Sequence, residues 1–69
     1  MIRYRCVSQD GSVVKMLPHM TLEEMQVWVG GYVELYDGVY CNEDGLRLKL
    51  HTNVIDKRFV GNIIMEELE

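Results

Sequence analysis

Apolar and polar residues alternate from the first positions of the chain, Ile2, Tyr4 and Cys6 interleaving with Arg3 and Arg5. That period of two marks a half-buried edge or near-edge strand. Ser8-Gln9-Asp10-Gly11-Ser12 carries turn chemistry, and Val13 to Leu17 reads as a returning strand. Pro18 ends it, because proline cannot donate to a ladder. The pattern then becomes helical: Thr21 and Glu24 stand as a capping box, with Met20 and Met25 placed as a hydrophobic staple. Gly30 offers the left-handed residue that closes helices, so the helix is predicted to run to about Val29. At roughly 100° per residue, Leu22, Met25, Val29 and, at the margin, Trp28 share one face, and Val27 falls opposite between Glu23 and Glu24. So short a helix must dock on a sheet.

Beyond Gly30-Gly31, read as C-cap and close helix-to-strand joint, the spans Tyr32–Tyr36, Val39–Asn42 and Leu46–Leu50 predict a three-strand meander turned at Asp37-Gly38 and Asp44-Gly45. Two-residue turns would pair Tyr36 with Val39, Glu34 with Cys41, Cys41 with Leu48 and Val39 with Leu50. One face is then Tyr36, Val39, Cys41, Leu46, Leu48 and Leu50, the expected core. The other carries Val33, Leu35, Tyr40 and Asn42 with Arg47 and Lys49, too apolar for an ordinary solvated face. A bulge at Asn42-Glu43-Asp44-Gly45 would flip the third strand. His51 to Phe59 reads as irregular or a single helical turn, and Val60–Met65 as a closing strand before an acidic end, Glu66, Glu67 and Glu69. The expectation is an α+β domain spanning residues 1–69, ordered β-β-α-β-β-β-β, with a mostly antiparallel sheet and one short docked helix.

Length narrows the rest. A chain of 69 residues buries only about 60% of the surface its unfolded form exposes, so a stability of roughly 3–5 kcal/mol is expected unless something staples or pairs it. Two cysteines allow one bridge at most, and no export segment opens the chain, so a reduced, cytoplasmic protein is expected. No apolar run exceeds four residues, against the ~20 that cross a bilayer. A net charge of −4 argues against a general nucleic-acid binder. With 48% hydrophobic residues the chain is too apolar to stay disordered.

The run Leu22-Glu23-Glu24-Met25-Gln26, the step Val29-Gly30-Gly31-Tyr32-Val33-Glu34, then Asn42-Glu43-Asp44-Gly45, Leu50, Asn53 and Val60-Gly61-Asn62 together resemble a small uncharacterised family, domain-of-unknown-function family thirty-eight forty-six, found mainly in phages and plasmids. The likeness covers about Thr21 to Ile64. Family members usually carry one or two prolines just before the asparagine matching Asn53, where this chain has His51-Thr52. The resemblance implies a mobile-element setting and no mechanism.

Chemistry is sparse. Cys6, Cys41, His19 and His51 lack the close ligand pairs of structural zinc, so no metal or other cofactor is expected. No nucleophile has a base at a recognisable spacing, and glycines that follow a helix are not a phosphate loop, so the chain does not read as an enzyme. Arg3, Arg5, Arg47 and Lys49, with the tyrosines, could form a single-stranded nucleic-acid surface, and a small-ligand or nucleotide site at an oligomer interface is a further alternative. The acidic end could mimic a DNA backbone or be a solvated tail. The leading reading is a protein-binding module, with Val27, Trp28, Val33, Leu35 and Tyr40 as surplus apolar surface for a host or phage protein or for a second copy in a homodimer.

Overall fold

The computed structural model describes residues 1–68; Glu69, grouped above with the acidic end, lies outside the described residues. The elements in chain order are β1 (Ile2–Val7), β2 (Val14–Leu17), α1 (Leu22–Val29), β3 (Val33–Tyr36), β4 (Val39–Asn42) and β5 (Ile63–Leu68). The strands form one antiparallel sheet in the order β2-β1-β5-β4-β3, and the helix packs on one of its faces.

Local signals behave as the residues dictate. Thr21 accepts from the Glu24 amide while the Glu24 carboxylate accepts from the Thr21 amide, so both halves of the capping box are made. Gly30 closes the helix at φ 82°. A side chain at Gly31 would stand 3.1 Å from Asn42 Nδ2, which makes it the close joint expected. Asp37 and Gly38 have φ of 51° and 77°, the pair of positive values a type I′ turn needs. The register they set, Tyr36 opposite Val39 and Glu34 opposite Cys41, is the one read from sequence.

The second Asp-Gly does not make a hairpin. Asn42 Oδ1 accepts the Asp44 amide at 2.8 Å, and the Leu48 amide donates to Asp44 O at 2.8 Å, coiling residues 43–49 into successive turns. The expected strand Leu46–Leu50 is therefore absent, and the pairings of Leu48 with Cys41 and Leu50 with Val39 are not made. Leu46 and Leu48 are exposed instead of core. The place beside β4 belongs to β5, with Val39 opposite Met65 and Tyr40 opposite Ile64. This closing strand starts at Ile63, later than Val60, because Gly61 sits at φ 77° and breaks extended geometry. It also runs through Glu66 and Glu67, which pair opposite Tyr4 and Arg3 and so are no loose tail.

Insertion of β5 at the centre puts a core on both sides of the sheet. On the helix side Cys6, Met25, Val29 and Ile64 cluster, joined by Tyr4, Leu17, Met20, Trp28, Val33 and Tyr40. On the other, Val7, Val39, Phe59 and Ile63 cluster beneath the segment that links β4 to β5. Consecutive residues are consequently buried, Cys6 with Val7 and Ile63 with Ile64, all fully. Strands covered on both faces lose the simple alternation.

Candidate functional site

The chain leaves β2 at one edge of the sheet and enters β3 at the other, and α1 makes that crossing. The helix settles over β5, β4 and β3. Its flank and the helix-side surface of β2 thus face each other across an open groove of about 460 Å³. Leu17 and Met20 lie along it, Lys15 stands on the β2 wall, and Glu23, Glu24, Val27 and Trp28 form the α1 wall.

Each wall is held by its own chemistry. The Trp28 indole N–H donates to Ile63 O at 2.8 Å, tying the helix to the central strand. Asn62 donates to Trp28 O and accepts from the Gln9 amide, so the same end of the groove is pinned to the first hairpin. Lys15 Nζ stands 5.2 Å over the Trp28 ring, within cation–π range. The Thr21 amide, then the Thr21 hydroxyl, hold the Glu24 carboxyl below its ordinary range, so it is ionised at neutral pH. Val27 is 82% exposed, the most exposed apolar residue of the helix.

Of the five residues singled out for partner binding, Val27 and Trp28 come together on this groove. Val33 and Tyr40 do not join them: they pack against the helix-side core, because the second apolar face of the hairpin is the face that α1 covers. Leu35 is exposed on the edge strand β3, apart from the groove. Trp28 is half-buried and hydrogen-bonded, so it serves the fold as well as the groove. Leu22, placed on the buried helix face by its spacing, is 60% exposed. The sequence pattern assigns Lys15 and Leu17 to a strand and Met20 to the helix staple, not to a site; their groove position depends on where α1 docks on the sheet.

The cationic alternative is dispersed. Arg5 makes a two-pronged ion pair with Glu67, and Arg47 pairs with Asp44. Among the rings, Tyr4 packs against Tyr40 and Tyr36 against Phe59. Cys6 and Cys41 are free thiols, each with its pKa raised mainly by burial, which disfavours the thiolate a nucleophile needs. Among the described residues no group of three or more His, Cys, Asp or Glu could hold a metal ion, and no helix is long and apolar enough to cross a membrane. No family model, curated protein or solved structure matches the chain.

Proposed function

We propose that this chain is a non-enzymatic interaction module that binds a protein partner in the groove between β2 and α1. The observation that carries the reading is the coincidence of this concavity with Val27 and Trp28 on one wall. A largely exposed aliphatic residue beside a braced indole is the composition of an interface anchor. The family resemblance adds a setting to the same proposal, a phage or other mobile element whose partner is a host or phage protein. The exposed β3 edge, with Leu35, is where a second copy pairs.

The test is to bring the partner down on the immobilised protein, identify it, and titrate it in purified form against wild type and Val27→Asp. The Val27 side chain is largely exposed, so the variant should stay folded, its melting temperature lowered only by the added charge near Glu23, Glu24 and the helix C-terminus, while losing more than about 1 kcal/mol of binding free energy. Recovery of nucleic acid in place of protein, with binding lost on replacing Arg47 and Lys49 and unaltered by Val27→Asp, would overturn the proposal.

A further inference from the structure

We infer that the groove receives an extended peptide that adds to the free edge of β2 as a sixth strand, setting an aliphatic side chain between Leu17 and Val27 and a lysine or arginine against Glu23. This rests on the groove being the binding site and specifies what enters it.

The backbone of β2 is in phase with the groove. The Ser8 amide donates to Val13 O at 2.9 Å, so residues 8 and 13 are a hydrogen-bonded pair. Such pairs alternate along an antiparallel ladder. In the observed register, Cys6 opposite Lys15 and Tyr4 opposite Leu17 are the next two, and Val14 and Met16 fall between them. The N–H and C=O groups of Lys15 and Leu17 therefore turn inward to β1, and those of Val14 and Met16 point outward. Among the described residues no strand lies beyond β2 in the sheet. Side chains obey the same phase: Lys15 and Leu17 line the groove on the helix side. A strand pairing with Val14 and Met16 would deliver every second side chain over Lys15 and Leu17, into the groove. Main-chain bonds then supply affinity and the groove supplies selectivity. Pro18 closes the edge just after Leu17, confining the added strand to a short window.

Charge selects the occupant. Among the described residues Lys15 is the one cation lining the groove, already over the Trp28 ring, against two carboxylates, Glu23 and Glu24. One positive against two negative leaves a net negative wall on a chain of charge −4. An acidic strand is repelled there, and a strand carrying an aliphatic and a basic residue two positions apart, both on the groove face, is complementary.

The test pans a random dodecapeptide library on the intact protein and measures the enriched peptides, resynthesised, by titration. Enriched sequences should carry an aliphatic residue and a Lys or Arg at positions i and i+2. Met16→Pro removes the outward donor without taking a bond from β1, so it should weaken the best peptide by roughly tenfold or more, with Met16→Ala, the control for the lost side chain, within about threefold of wild type. Glu23→Gln should weaken it and flatten its salt dependence. In the wild-type complex the Val14 and Met16 amides should exchange more slowly than in the free protein. Unslowed amides overturn strand addition even if Met16→Pro fails to fold, as does wild-type affinity in a folded Met16→Pro. If Val27→Asp still abolishes binding in either case, the groove reading survives. Enrichment of acidic peptides overturns the assigned chemistry. Enriched peptides indifferent to both Val27→Asp and Met16→Pro, or none enriched above bare support, overturn both readings.

Discussion

Three asparagines do at the residue scale what regular structure does not. Asn42 donates to Val29 O, Asn62 to Trp28 O, and Asn53 to both Gly61 O and Ser8 O while its carbonyl accepts the Ile55 and Asp56 amides. Asn53 is fully buried, so Asn53→Ala strands several backbone groups and should cost roughly 2–4 kcal/mol in urea unfolding. The ionised residues make a different prediction. Arg5 holds the Glu67 carboxyl below its usual 4.5, and Arg58 holds Asp56 below 3.8. A carboxyl whose pKa is depressed by folding stabilises the fold above its unfolded value, and that contribution is lost as pH falls through the folded value. The melting temperature should be level above about pH 5 and decline below about pH 4. Arg5→Gln should lower the plateau and shallow the decline; an unchanged profile would remove the Arg5–Glu67 pair as a contributor.

At the scale of elements, the same dipeptide has two fates. At Asp37-Gly38 the strands on either side exchange ladder bonds, and a Cβ on Gly38 would meet nothing within 4 Å, so only its φ of 77° matters. Gly38→Val should cost about 1–3 kcal/mol through that strain. At Asp44-Gly45 the Asn42 side chain captures the Asp44 amide first, and Gly45 is packed where a Cβ would stand 2.6 Å from Val60 Cγ2. Asp-Gly is a hairpin signal only where its flanks are free to pair. The helix is governed by its ends: Thr21→Ala should lower stability by about 1 kcal/mol, read by thermal melting, with the sheet unchanged.

At the scale of the whole molecule, the sheet formed by the described residues has two free edges, and they are not equivalent. β2 ends at Pro18 and carries Lys15, whereas β3 carries neither proline nor lysine and exposes Leu35 and Tyr36. Glu43 donates to Tyr32 O, in phase with the hairpin, so the backbone groups of Val33 and Leu35 point outward. A second copy pairing antiparallel about Leu35 sets Glu34 against Tyr36 of that copy; a pairing centred on Glu34 opposes two carboxylates and is disfavoured. Sedimentation at micromolar concentration should show twice the monomer mass, and Leu35→Pro, which removes an outward donor, should return the monomer. A wild-type monomer across that range would leave the β3 edge without a partner.

What the chain determined by itself is what neighbours in sequence decide: the α+β class, the first hairpin, both caps of α1, and the register through Asp37-Gly38. Each depends on a dihedral preference or a hydrogen bond within a few residues, as the reciprocal bonds of Thr21 and Glu24 show. The tertiary structure decided which element fills the place beside β4. Leu46–Leu50 and Ile63–Leu68 both offer apolar residues, and it is β5 that pairs with β1 and β4 together and has both faces covered. That choice packed Val33 and Tyr40, partly buried, against the helix-side core, exposed Leu46, and left the helix over one half of the sheet, opening the groove. A site made between Lys15 and Trp28 is set by how far the helix reaches across five strands, a long-range packing balance that no local pattern encodes.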